Sequence, residues 1–320
     1  MQSPRIAVGI FSAGLVVLGA DVVWGQDYPN RTIRIVTTGL GSGADSTSRL
    51  IAQGISVPLG QPVVVENRGG GVVPGDTVAK SAPDGYTFLV TGSSFFIGPL
   101  LQKAPYDPVK DFLPVSLMGS QPLVLVVHPA LPVKSVKELI ALAKARPGAL
   151  NYSSTGTGGA SHLAMELLKS MAGVDIVRIA YKNNTTEIAD LISGQVQLTI
   201  GGAATVDSVI KSGRVRALAV ASAEPSALLP GLPTVAASGV PGYESIAMTS
   251  MFAPANTPSA IINRVNQEVV RVLNRPDVKE RLFNTGLEVV AGSPEQLANK
   301  MKSEMARMAK VIKDAGIRAD

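Results

Sequence analysis

Along most of the chain, short apolar runs alternate with stretches in which apolar residues return every three or four positions. The runs at residues 33–36, 63–65, 87–90, 123–127, 196–200 and 215–220 read as buried strands. Leu50, Ile51, Gly54 and Ile55 share one helical face, as do Leu163, Leu167, Leu168 and Met171. Such alternation predicts an α/β architecture with largely parallel sheets. From residue 258 onward the pattern is helical, with Ile261, Ile262, Val265, Val269 and Val272 at core spacing. At 320 residues and 46% hydrophobic content, the chain has core enough for about two domains.

Two strand-to-helix junctions share one design. TTGLGSGADSTSR, residues 37–49, follows the first run, and SSTGTGGASH, residues 153–162, follows Leu150, Asn151 and Tyr152. Each Gly/Ser/Thr loop presents backbone N–H groups at a helix N-terminus, where unpaired donors and the positive end of the dipole favour an anion. Lying about 115 residues apart, the pair can face each other across a cleft between two lobes. Passage between lobes is expected at Ser120, Gln121 and Pro122 and again at residues 249–254. The first lobe then takes residues 26–121 and 250–320, and the second takes 122–249.

The first junction also fits a dinucleotide fingerprint. Gly39, Gly41 and Ala44 satisfy G-x-G-x-x-G/A, and Glu66 lies 22 residues beyond Ala44. A nicotinamide-dependent oxidoreductase is therefore the enzymatic alternative. Against it, Asp45 brings negative charge to the helix start where a pyrophosphate would lie, and it reads better as an N-capping residue. A dehydrogenase also has no use for the second loop.

Other catalytic patterns are missing. The sequence has no cysteine, no G-x-S-x-G elbow and no Walker loop. His128, beside Pro129, reads as structural or solvated, and His162 reads as a polar helix-start residue pointing away from Ser161. Two histidines without a carboxylate cluster make a poor metal site, so neither metal nor cofactor is expected.

The N-terminus carries an export signal. Arg5 precedes a mostly apolar run at residues 6–20, and Val23 and Gly25 supply small residues for cleavage after Gly25, leaving residues 1–25 as a signal peptide. The run is shorter than the ~20 residues that span a bilayer. No cysteine follows it, which excludes a lipid-anchored form. The net charge of +5 is scattered and aromatic residues make up 4%, so no nucleic-acid surface is expected, only a mild attraction for anions.

Several blocks add a family resemblance: YPNRTIRIV from Tyr28, VVVENRGGG at 63–71, APDGYTFLV at 82–90, YDPVKDFLPVSLM at 106–118, LPVKSVKELIALAKARPGALNY at 131–152, SHLAMELLKSMAG at 161–173, ALAVAS at 217–222 and LPTVAASGVPGYE at 232–244. They span essentially the whole mature chain. In them the protein resembles the extracytoplasmic solute-binding subunits of tripartite tricarboxylate transporters, the Bug family. That resemblance implies a two-lobed fold like that of periplasmic binding proteins, with two mixed or parallel sheets flanked by helices and a small carboxylate held in the cleft. It implies a periplasmic location, large and small membrane subunits as partners, and no enzymatic activity. For ligand contact it points to Leu40, Gly41 and Ser42 in the first loop, to Ser154, Thr157, Gly158, Gly159, Ala160 and Ser161 in the second, and to Ser93 past the third strand.

Departures from the family pattern bear on the ligand. Thr37 and Thr38 stand where a Pro-Phe pair is usual, and Tyr181, Lys182, Asn183 replaces a Tyr-Lys-Gly triplet. Gly201, Gly202 and Ala203 replace larger residues, which puts Gly202 and Ala203 at a roomier, less polar far end of the pocket. A ligand without an amine is expected there, either an aromatic acid or a longer dicarboxylate. Phe95 and Phe96 are candidates for lining the pocket or for the core. A sensor partner of a membrane receptor would use the same site.

Overall fold

In the computed structural model, which describes residues 28–318, each of the six apolar runs lies in or overlaps a strand. The expected signal peptide, residues 1–25, lies outside the described residues. The first lobe opens with β1 (Ile33–Thr37), α1 (Gly43–Leu59), β2 (Val63–Asn67), α2 (Val73–Ala79), β3 (Thr87–Gly92) and α3 (Ser94–Leu101). A 16-residue strand, β4 (Phe112–Val127), leads into the second lobe. There α4 (Val136–Ala145), β5 (Asn151–Thr155), α5 (Ala160–Ala172), β6 (Val177–Tyr181), α6 (Asn184–Ser193), β7 (Leu198–Gly202), α7 (Ala203–Lys211) and β8 (Arg216–Val220) follow one another. The chain returns through β9 (Ile246–Pro254), α8 (Ser259–Leu273), α9 (Pro276–Asn284), β10 (Glu288–Val289) and α10 (Pro294–Asp314).

β4 serves both sheets. From Phe112 to Pro122 it pairs antiparallel with β9, which in turn pairs with β3, so the first sheet runs β2-β1-β3-β9-β4, and β10 adds to β4 at Gly119 and Ser120. From Leu123 to Val127 it pairs antiparallel with β7 and β8, and β5 and β6 continue in parallel beyond β7. The sheets are therefore mixed, parallel towards one edge of each lobe and antiparallel around β4. A chain that leaves one lobe on β4 and comes back on β9 must traverse the first sheet in both directions, which the expectation of largely parallel sheets left out. β9 begins its pairing at Ile246, opposite Pro122, and residues 249 and 250 lie inside it.

Period-two side-chain alternation explains how the strands divide the core. Ile33 and Ile35 pack with Ile51 and Ile55 of α1 and Val265 and Val269 of α8, while Val36 faces the opposite side. Phe95 and Phe96 belong to that opposite core rather than to a pocket wall: Phe95 lies 5.1 Å from Tyr106, 4.7 Å from Phe112 and 4.9 Å from Phe252, centroid to centroid. In the second lobe, Val124 and Val126 face Val206 and Val209 of α7. α10 starts with a capping box between Ser293 and Gln296 and spans the lobes, its Leu297, Met301, Met308 and Val311 sharing one core with Phe96 and Leu163.

Candidate functional site

Three helices begin at one cavity of about 310 Å³ between the lobes. From the first lobe come Thr38, Ser42, Gly43 and Ala44, then Gly92, Ser93 and Ser94, with Gln121 from within β4. From the second come Gly158, Gly159, Ala160 and Leu163. Ile97, Ile246, Met248 and Met308 add apolar wall, and Glu304 adds a carboxylate. Among the described residues no lysine or arginine lines it.

At α1, Ser42 is the N-cap. Its extended backbone turns the Oγ to accept the Asp45 N–H at 3.1 Å, leaving the amides of Gly43 and Ala44 with no acceptor among the described residues. Asp45 is therefore the third residue of the helix and not its cap, correcting the sequence reading. Its carboxylate accepts from the Gly41 N–H at 2.9 Å and the Asn67 amide at 2.9 Å, and it pairs with Arg49 at 3.0 Å. Burial works against the charged form, but the Asn67 amide, the Gly41 N–H and Arg49 together hold Asp45 below the usual carboxylate range.

That network occupies the Gly41 amide. Leu40 is 77% exposed, and neither Leu40 nor Gly41 lines the cavity. Glu66 is held by Arg34 at 3.0 Å and by Arg68. The loop amide and the acid that a dinucleotide would need are thus both engaged by protein groups, which removes the physical basis of the fingerprint.

α3 is tied to β9 at its start. The Ser93 Oγ accepts the Met248 N–H at 3.0 Å, so this hydroxyl braces two cavity-lining segments.

At α5, Gly159 occupies the cap position in extended backbone, and the amides of Ala160 and Ser161 take no acceptor among the described residues. The Gly158 N–H instead donates to the His162 Nδ1 at 3.0 Å, and the Gly159 N–H to the Gly156 carbonyl at 3.3 Å. His162 is buried, and burial, reinforced by the nearby Arg178 charge, brings its pKa down to about 4. It is the polar helix-start residue expected, buried and acting as a neutral acceptor that holds the loop. Behind the loop, Arg178 donates through Nε to Ser154 Oγ at 2.8 Å and through Nη1 to Thr157 Oγ1 at 3.3 Å.

Of the residues singled out from sequence, Ser42, Ser93, Gly158, Gly159 and Ala160 line the cavity, and Ser161 follows on the first turn of α5. Ser154 is fully buried and faces Arg178, as does Thr157. Gly202 and Ala203 lie where β7 passes into α7, and Ala203 lines a separate crevice of about 300 Å³ with Asp207, Lys211 and Phe283. Sequence reasoning missed Gln121, Glu304 and Met308, whose approach to the cavity depends on the long-range packing of β4 and α10. It also missed the brace at His162, although the four-residue step from Gly158 was there to be read.

Two α/β lobes that jointly enclose a cavity, with a helix from each lobe opening on it, define a solute-binding protein. The chain belongs to the tripartite tricarboxylate transporter family receptors, whose family model matches residues 47–317. It is 36% identical over 315 residues to Protein BugT of Bordetella pertussis, covering 97% of this chain and 96% of that one. Among solved structures, an R. palustris protein with adipate superposes with a TM-score of 0.74 at 36% identity, covering 92% of this chain and 100% of that one. MatC from Rhodopseudomonas palustris with bound malate gives 0.70 at 29%, covering 89% and 100%. The protein is thus a Bug-type periplasmic solute-binding protein and not an enzyme. Among the described residues no helix is long and apolar enough to cross a membrane.

Proposed function

We propose that this protein captures a small carboxylate between its lobes in the periplasm and delivers it to the large and small membrane subunits of a tripartite tricarboxylate transporter. The observation that carries the reading is that α1 and α5, from different lobes, start at one cavity with first-turn amides that take no acceptor among the described residues. A carboxylate there receives donors from both lobes at once. The arrangement with the lobes together binds it better than the separated one, so the ligand shifts the hinge equilibrium. Pro122–Leu123 and Ser245–Ile246, where the chain passes from sheet to sheet, are the hinge positions we assign.

Adipate and malate in the related structures support a small carboxylate as the cargo class. The apolar lining from Ile97, Leu163, Ile246 and Met308 suits an aliphatic or aromatic body. Neither Gly202 nor Ala203 lines this cavity.

Calorimetric titration against mono-, di- and tricarboxylates, aromatic acids and amino acids tests the reading, with small-angle scattering on the same samples. We expect one carboxylate class to bind and to contract the molecule. Absence of binding across the panel, or a scattering profile unchanged at saturation, would overturn it.

A further inference from the structure

The cavity wall contributed by α10 carries a charge that the helix starts do not explain. Glu304 is 4% exposed and lines the cavity. Its Oε2 is taken by the Arg307 guanidinium, while its Oε1 accepts no hydrogen bond from the described residues. The neighbouring cations are already shared: Lys300 and Arg307 both pair with Glu244, so two basic groups face two carboxylates. With no lysine or arginine lining the cavity among the described residues, nothing positive is left over on this side.

On the reading of the cavity as a carboxylate site, we infer that Glu304 determines specificity for the part of the ligand beyond its anchored carboxylate, selecting a hydroxyl or ammonium donor over a second carboxylate. Like charges in a cavity walled by protein repel, so the ligand's own carboxylate goes to the N-termini of α1 and α5. A second carboxylate would meet the open Oε1. A hydroxyl or ammonium would instead donate to it, satisfying an acceptor that no described residue serves. Burial pushes the Glu304 carboxyl upward against the opposing pull of Arg307.

The test compares ligands of matched length that differ only at the far end. Butyrate, succinate, 4-hydroxybutyrate and 4-aminobutyrate form one series, and hexanoate, adipate, 6-hydroxyhexanoate and 6-aminohexanoate the other, each titrated calorimetrically into the wild-type chain and into Glu304→Gln. In the better-bound series, the hydroxy or amino acid should bind about tenfold more tightly than the dicarboxylate, as expected for one hydrogen bond to a charged group. Glu304→Gln should bring that ratio close to one. A dicarboxylate that binds wild type as tightly as its donor-ended counterpart overturns the inference, as does a ratio unchanged in the variant. Equal weakening of every ligand in Glu304→Gln would assign the residue a packing role and overturn it as well. If no member of either series binds, this inference is overturned, while the carboxylate-site reading stands or falls on the wider panel of mono-, di- and tricarboxylates, aromatic acids and amino acids.

Discussion

His162 can brace the second loop only as a neutral imidazole. Its Nδ1 accepts the Gly158 N–H, and a proton on that nitrogen would turn the acceptor into a second donor facing the first. The pKa of about 4 in the folded chain lies below the ordinary 6.5, so between those values the unfolded chain binds the proton and the folded one does not. Stability is therefore full above about pH 6.5 and falls as the pH drops towards 4, by about 3 kcal/mol for this one group at 1.36 kcal/mol per unit. Urea unfolding of wild type and His162→Gln at pH 7, 5.5 and 4.5 checks this, and the difference between them should shrink with falling pH. A constant difference would mean that folding leaves the proton affinity of His162 unchanged. Polar type and helix-start position were legible for His162 in the sequence, but burial under Arg178 and against Glu166 was not. Asp45 failed for a similar reason, since both Ser42 and Asp45 are good capping residues and only the backbone shows which one turns.

Among the elements, α5 offers a clean separation of donor from scaffold. Ala160 is its first residue, following Gly159 in extended backbone, the setting in which proline is tolerated and only an already unpaired N–H is lost. Ala160→Pro should leave the thermal midpoint near that of wild type and weaken carboxylate binding about tenfold, the loss of one donor to a charged acceptor. Unimpaired binding would show that the ligand does not use this helix start. That α1 and α5 follow glycine-rich turns was readable from the chain, as were the strands whose apolar runs are continuous. β6 was not, because Val177 and Ile179 are substantially exposed at its edge. The first part of β4 was broken to the eye by Pro114, Gly119 and Pro122, and the strand is continuous because β9 supplies its partner over that length.

For the molecule as a whole, the lobes meet at separate places. Glu244 of the second lobe pairs with Lys300 and Arg307 of α10, and Glu288 on β10 accepts from Ser226 Oγ at 2.7 Å and from the Leu228 N–H at 3.3 Å. At the cleft itself, Leu101 of α3 packs against Gly158, so closely that a Cβ there would lie 2.1 Å from the Leu101 Cδ1. Gly158 is thus required twice, by its φ of +72° and by the other lobe, and neither reason involves the ligand directly. The sequence showed two loops able to face each other; the contact across the cleft at the second loop comes from α3, where nothing in the local pattern marks Leu101. Leu101 and Gly158 can touch only when the lobes are together, whereas the cavity amides exist in both arrangements. Removing the side chain should therefore act on the hinge equilibrium, and the apparent dissociation constant should rise in proportion to the fall in the closed population. Leu101→Ala is expected to weaken binding of the cognate carboxylate about fivefold, from roughly 1 kcal/mol of lost apolar contact. Scattering from the unliganded variant should shift towards the expanded form, while saturating ligand restores the wild-type closed profile. Unchanged affinity together with an unchanged unliganded radius would place the closing energy elsewhere, at the Glu244 or Glu288 contacts.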